Sequence, residues 1–318
     1  MAGSAGGGAG RADLSNQVRI GRPLMAQQPT HPSAEALPAL SVVMATLGGA
    51  QIARTIAEMN RGSVRPTEIL ICIPEEDAHR VATLSVDNVC IVPTKVRGQV
   101  AQRAEGFRQA SCPVVMQLDD DILLARDAIE ALMASLVALG RGHVVGAVFY
   151  NSVTAEPLSK IDTGLRGFII NLYESAVRGL PWGKRRMGAL SKIGGCGSVD
   201  PRCCDEDLVT TAWLPGGCSL SFREDLVLDA FFPFRGKAYS EDIIHSCLRA
   251  RKGMTHHVAV TAKATILPPE RGVTRDSAMA EIRARRYAAQ MLGGNMARAT
   301  FAAILDIVRR QVAALLAR

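Results

Sequence analysis

Three adjacent carboxylates, Asp119, Asp120 and Asp121, end an apolar run of strand length in the segment VVMQLDDDILL, Val114 to Leu124. Negative charges this close repel one another and resist burial, so a positive partner is expected beside them. On an extended backbone, successive side chains alternate, which puts Asp119 and Asp121 on one side and Asp120 on the other. Two carboxylates on one side suit a hard divalent cation that keeps positions open for water and phosphate oxygens. A solvated acidic turn is the competing reading. It leaves unexplained why the run follows four or five residues of buried type.

The elements around these carboxylates alternate. LSVVMAT at Leu40–Thr46 reads as a buried strand, and Gln51–Asn60 has helical spacing. A second buried strand, EILICI, lies in Pro66–Ile73, and a short third at Val89–Val92. Gln99–Ala110 is expected as a helix, Pro113–Leu118 as the fourth strand, Ala128–Leu139 as a helix and Val144–Tyr150 as another strand. Such alternation implies an α/β fold, a doubly wound, mainly parallel sheet with flanking helices. Ligands of such sheets bind beyond the carboxyl ends of strands. The three Asp fall there, and so does the turn after Thr46.

With 318 residues, 48% of them hydrophobic, the chain can form one sizeable α/β domain with additions. No apolar stretch reaches the roughly 18 to 20 residues that span a bilayer. The first residues lack the apolar centre of a secretory signal and are rich in Gly, Ala, Ser and Pro, so residues 1–37 read as a disordered tail. Of eight cysteines, Cys72 and Cys90 sit in strand-like runs and are expected in the core. Cys196, Cys203, Cys204 and Cys218 lack a C-x-x-C pair, which disfavours zinc. Without a signal or a disulfide framework, the cytoplasm is the expected compartment.

The net charge of +7 is uneven. Lys160 to Arg202 holds eight Lys or Arg against three acidic residues, and Arg283 to Arg318 holds seven Arg against one Asp. Basic segments attract phosphates, nucleic acids or anionic lipid. No nucleic-acid motif accompanies them, and at 4% aromatics are too few for a base-stacking platform, so no nucleic acid is expected.

Five segments in fixed order carry a resemblance: LSVVMAT, then Gly98-Gln99-x-x-x-Arg103, then LDDDI, then WLPGGCSL, then YSEDII. The ordered set resembles glycosyltransferase family 2 across about Leu40 to Pro269. The resemblance implies a GT-A fold and transfer of a sugar, with inversion, from a nucleotide-sugar donor, with a UDP-sugar the expected one. It implies that the triple Asp is the family's DXD element, with Asp121 binding Mn²⁺ or Mg²⁺ and Asp119 touching the ribose or the metal shell. It implies that Asp242 is the catalytic base. The domains expected are then the tail, a GT-A domain over 38–270 with an insertion at about 160–202, and a helical extension over 271–318.

The chemistry is consistent with these residues. Negative charge builds on the leaving diphosphate, and a divalent ion neutralises it. The acceptor hydroxyl must lose a proton as it attacks, and a nearby carboxylate can take it. Glu241 precedes Asp242 and is placed on the acceptor side; if a helix begins here, Ser240 could be its N-cap and both carboxylates would sit in the first turn. Arg103 could pair with the carboxylates or with donor phosphate, or be a surface residue. Gln99, Thr46, Asp120 and Gly217 are placed on the donor side. Gly216 leaves room for a ligand, and Trp213 either stacks on an acceptor sugar or is a core residue beside a turn. His245, His256 and His257 read as mainly structural.

Two features depart from the family. Ile73 and Pro74 stand where an Asp reading the nucleotide base is expected, leaving Glu75, Glu76 or Asp77 as substitutes. The Gln-x-x-Arg-Trp element of processive synthases is absent after Asp242, so transfer of a single sugar fits better than polymerisation. The acceptor is then a saccharide or lipid-linked glycan in bacterial-type surface glycan synthesis. A sugar-nucleotide pyrophosphorylase should show a Gly-rich loop with Arg, which ATLGGAQ at Ala45–Gln51 lacks. A haloacid-dehalogenase phosphatase needs Thr where Leu123 stands. A non-catalytic nucleotide-sugar-binding subunit is the third alternative.

Two amphipathic segments complete the reading. Leu165, Phe168, Ile169, Leu172, Tyr173 and Val177 form one apolar face, followed by Trp182 and by Lys184, Arg185 and Arg186. That mix either lies on an anionic membrane surface or packs on the domain. In the C-terminal segment, Phe301, Ile304, Leu305, Val308, Val312 and Leu315 form a stripe expected to pack inward.

Overall fold

The computed structural model describes residues 37–234, 237–267 and 275–316. The tail expected over 1–37 lies, up to residue 36, outside the described residues. The described part belongs to one compact unit, Pro32–Arg318.

A single mixed sheet organises it. Its first half is parallel: β1 (Leu40–Ala45) lies between β2 (Glu68–Pro74) and β4 (Val114–Leu118), and β2 pairs with β3 (Val89–Thr94). Every residue of β1 and β4 is buried, as continuous apolar runs demand when both faces are covered. Helices α1 (Ile52–Asn60), α2 (Gln99–Gln109) and α3 (Ala128–Leu139) cover these strands and those that follow. Close packing of α2 needs Gly106, because a Cβ there would run into Val43 and Cys72 on the strands beneath. Gly140 ends α3 at φ +82°, a conformation that costs glycine little.

The second half adds antiparallel pairing that the alternation does not reveal. Strand β8 (Cys218–Phe222) runs antiparallel to both β4 and β6 (His143–Asn151). The long β9 (Thr255–Ile266) runs parallel to β6 and antiparallel to β5 (Ile122–Leu124) and β7 (Leu208–Thr211). Inserting β8 beside β4 brings the WLPGG turn to the end of the strand that carries the Asp run. That placement requires pairing between segments about a hundred residues apart, which local periodicity cannot report.

Four expectations need correction. Cys90 is exposed, because β3 is the edge strand and its outer face is only partly covered. Asp119 to Asp121 are not extended; β4 stops at Leu118 and the three residues turn into β5, so strict alternation does not govern their directions. Ser240 begins α5 (Glu241–Arg251) in the left-handed region at φ +55°, and its side chain makes no capping bond.

The fourth correction concerns α7 (Met296–Leu316), which packs through Ala299, Ala302, Ala303, Asp306 and Ile307. Phe301, Ile304, Val308 and Val312 face solvent instead, Leu305 is half-buried, and the Leu315 side chain lies outside the described residues. Helix α4 (Gly164–Ala176) is inverted in the same sense. Its buried residues are Gly167 and Asn171, while Leu165, Phe168, Ile169 and Leu172 are exposed. Helix α6 (Arg275–Met291) packs between α5 and α7.

Candidate active site

The carboxyl ends of β1 and β4, the start of α2, the turn before β8 and the start of α5 converge. Arg103 on α2 ties them together. It donates through one terminal nitrogen to Asp119 Oδ1 at 3.1 Å and through the other to Glu241 Oε1 at 2.9 Å. The guanidinium is the positive partner that the acidic run requires, and its planar fork serves two carboxylates at once. It is almost fully buried, so burial opposes its charge while Glu241 and Asp119 restore it, leaving its pKa above the ordinary value.

Asp119 is fixed from several sides. Gln99 donates to the same Oδ1 at 3.0 Å, and the Asp119 backbone N–H donates to Gly217 O at 2.9 Å. Burial raises its pKa to about 6; Arg103 pulls it down, while Glu241, Asp121 and Asp120 push it up. Asp120 turns toward β1, where it accepts a hydrogen bond from the Thr46 hydroxyl, while its carbonyl accepts one from Thr55 at 2.8 Å. Thr46 and Asp120 thus satisfy each other. The carbonyl of Asp121 accepts from Leu267 N at 3.0 Å, which anchors the turn to the end of β9.

The donor set fits a divalent ion. Both donors to Asp119 use Oδ1, leaving Oδ2 facing Gly217, where a Cβ would come within 3.5 Å of it. Crowded acids that raise the proton affinity of Asp119 favour a cation for the same reason. Among the described residues no group of three or more His, Cys, Asp and Glu converges on a metal-sized point. An ion held by Asp119 and Asp121 would therefore draw the rest of its shell from phosphate oxygens and water, the usual habit of Mg²⁺.

Asp242 sits one residue beyond Glu241 in the first turn of α5, half-buried. Its Oδ1 accepts from the Ile243 N–H at 2.9 Å. Burial, and next the charge of Glu241, raise its pKa to about 7. A carboxylate poised there takes a proton readily at neutral pH. Glu241, expected on the acceptor side, is buried against Arg103, with Oε2 lacking a hydrogen-bond partner among the described residues. Gly216 is the reason it fits, since a Cβ at that position would collide with the Glu241 carboxylate.

Trp213 is buried, and its indole N–H donates to Gly197 O at 3.0 Å. It lines a mostly apolar cavity of about 220 Å³ together with Phe149, Leu158, Pro215 and Val258. Asp77, in the turn after β2, is buried, unlike Glu75 and Glu76, and both Asp77 and Glu76 accept from Arg97, at 2.9 and 2.6 Å. His245, His256 and His257 are all buried. Burial lowers the pKa of His256 to about 3 and of His257 to about 4, and the latter's Nε2 lies 2.9 Å from His143 Nδ1.

Sequence reasoning missed two residues here. Gln102 donates to both Thr46 O and Cys72 O at 2.8 Å, pinning the ends of β1 and β2 to α2. Its Oε1 accepts from Gly98 N at 3.1 Å, at a glycine whose φ is +153°. The signal was a second Gln in QVAQR, one turn after Gln99. Arg249 is buried on α5, where among the described residues it makes only 3.4 Å contacts to the Ser219 hydroxyl, and burial lowers its pKa to about 9. Nothing in its local sequence marks it.

Residues 49–185 match the model of the family described as Glycosyl transferase family 2. Over that stretch, which is less than half of the chain, the protein is similar to family 2 glycosyltransferase domains. The matched stretch holds Gln99, Arg103 and the Asp run, whereas Trp213, Gly216 and Asp242 lie beyond it. No curated protein matches the chain. Among solved structures, the crystal structure of GalNAc-T7 with UDP, GalNAc and Mn²⁺ superposes with a TM-score of 0.56 at 15% identity. The match covers 81% of this chain and 49% of that one, so the chain spans about half the length of that structure. At that identity the likeness establishes the shared GT-A-type fold.

Proposed function

We propose that the protein is a metal-dependent inverting glycosyltransferase that moves one sugar from a nucleotide-diphosphate sugar to a saccharide or lipid-linked acceptor. The observation that carries this reading is the Arg103 bridge. It holds the donor-side carboxylate Asp119 and the acceptor-side helix start, Glu241–Asp242, in one place.

The geometry supports these roles. Asp119 and Asp121 would hold Mn²⁺ or Mg²⁺, which when bound neutralises charge on the leaving diphosphate. Asp242 takes the proton of the acceptor hydroxyl; that oxygen forms a bond to the anomeric carbon as the bond to the nucleoside diphosphate breaks. Gln99 and Arg103 orient Asp119 rather than reaching phosphate themselves. Glu241 raises the proton affinity of Asp242 and keeps Arg103 in register. The apolar cavity beside Trp213 and Pro215 supplies room on the acceptor side. The UDP and Mn²⁺ that accompany GalNAc-T7 in its crystal structure support a uridine donor and manganese.

Residues 38–270 form the catalytic domain in this reading, with an insertion at about 160–202 and a helical extension over 271–318. No described helix is long and apolar enough to cross a membrane. A cytoplasmic site of action in surface glycan synthesis is consistent with that.

The test is a panel of nucleotide-sugars scored by thermal stabilisation, with and without Mn²⁺, followed by donor hydrolysis. A ligand at a hundredfold excess over its dissociation constant stabilises the native state by about 2.7 kcal/mol. Stabilisation with slow donor hydrolysis is expected. Stabilisation without hydrolysis or transfer would identify a binding subunit, and no stabilisation by any nucleotide-sugar would overturn the reading.

A further inference from the structure

The outward apolar faces of α4 and α7 are neighbours. The Tyr173 hydroxyl of α4 donates to Asp306 of α7 at 2.8 Å, and Arg298 of α7 donates to Ala176 O of α4 at 2.8 Å. The Arg309 guanidinium lies over the Tyr173 ring, 5.4 Å from its centre. Beside this seam α4 exposes Leu165, Phe168, Ile169 and Leu172, and α7 exposes Phe301, Ile304, Val308 and Val312. Leu165 is 77% and Phe301 57% accessible. A helix of a water-soluble domain ordinarily buries its apolar stripe. Here both helices turn polar or small residues inward: Asn171 bonds Arg186 at 2.9 Å, and Ala302 and Ala303 pack beneath α7. Contiguous exposed apolar surface of this kind marks an interaction site.

We propose that this two-helix face seats the protein on an anionic lipid bilayer, at the depth of the headgroups. Charge selects the occupant. Lys184 and Arg185 are exposed directly after Trp182, whose ring packs edge-on against Phe168 at 5.5 Å. Exposed Arg166 lies on α4, and exposed Arg298 and Arg309 lie on α7, whereas Arg310 is tied to Glu281 of α6. An apolar face with a basic border and a Trp at its edge matches the layering of an anionic interface. A second copy of the chain fits less well, because a self-complementary contact would bring the two basic borders together. Arg186 takes no part: it is buried and donates to Asn171 and to Lys160 O, so the basic contribution of that segment is Lys184 and Arg185 alone.

The proposal goes beyond sugar transfer, and its test needs neither donor nor acceptor. Full-length protein is sedimented with vesicles of phosphatidylcholine alone and of phosphatidylcholine mixed with phosphatidylglycerol, at low and high salt. Three double variants are compared: Phe168→Glu with Leu172→Glu, Phe301→Glu with Val308→Glu, and Lys184→Glu with Arg185→Glu. All six residues are exposed, and equal melting temperatures would show that the fold is kept. Binding is expected to prefer anionic vesicles, to weaken with salt, and to fall about tenfold or more in each variant. Absence of binding to anionic vesicles, or binding that both apolar pairs leave unchanged, would overturn it. So would an oligomer in lipid-free solution that the apolar variants dissolve while vesicle binding is missing.

Discussion

Arg103 and Glu241 stand 138 residues apart in the chain, yet their side chains meet at 2.9 Å in the interior. The same guanidinium holds Asp119, so the strand that carries the acidic run and the helix that carries Asp242 are positioned against one cation.

Removing that cation should be costly. Arg103→Ala leaves the Glu241 carboxylate buried without its partner and deprives Asp119 of its nearest positive charge. Breaking a buried pair from one side typically costs about 3–5 kcal/mol. Urea denaturation should show a loss of that size, and Arg103→Lys a smaller one, since an ammonium cannot serve two carboxylates as a planar fork does. A loss below about 1 kcal/mol for Arg103→Ala, the range of exposed pairs, would show that the bridge is not formed in solution.

Asp242 should set the acid limb of activity. Its carboxyl titrates near 7, so transfer should rise with pH up to about that value and then level off. Asp242→Asn should keep donor binding and lose transfer by about 10²- to 10⁴-fold. Stability carries the opposite sign. The folded state holds this proton more tightly than the unfolded chain, so the contribution of Asp242 to stability falls as pH rises from about 4 to about 7. Asp242→Asn should therefore melt higher than the parent at about pH 8 and gain nothing at about pH 3, where both states are protonated. Near-normal transfer by Asp242→Asn with an inactive Glu241→Gln would move the base to Glu241.

Asp121→Ala should abolish Mn²⁺-dependent binding of the nucleoside diphosphate and leave the fold intact, because Asp121 lies half-buried in a turn rather than in the core. Titration calorimetry of Mn²⁺ with the diphosphate reads the first effect and thermal melting the second. Unchanged affinity would remove Asp121 from the metal site.

Gly216→Ala tests how tightly the turn before β8 is packed. The added methyl would press on the Glu241 carboxylate and come within 3.3 Å of Asp242 Cβ. Displacing Glu241 unseats Arg103, so transfer should fall steeply while donor affinity, set by the β4 end, falls less. Equal loss of both would show that the turn shapes the donor site instead.

The sequence determined the parts whose signal is local. Continuous apolar runs placed β1, β2 and β4, because strands buried on both faces need no polar alternation. The carboxylates at the end of β4 were legible because ionised groups break such a run only where a partner or solvent receives them. Helices α2 and α3 followed from their spacing. Tertiary structure alone decided what long-range pairing controls. Strand β8 enters antiparallel beside β4 and carries Gly216 and Gly217 to the Asp run; Glu241 is buried through Arg103; Arg249 and His245 lose their water under α5. The amphipathic stripes of α4 and α7 are legible in the sequence as stripes, but their direction is not. Periodicity fixes which residues share a face of a helix, and the neighbouring packing fixes which face looks inward. Here mostly small and polar residues, joined by Ile307, make the inner contacts, and most of the large apolar side chains of the two stripes stay exposed.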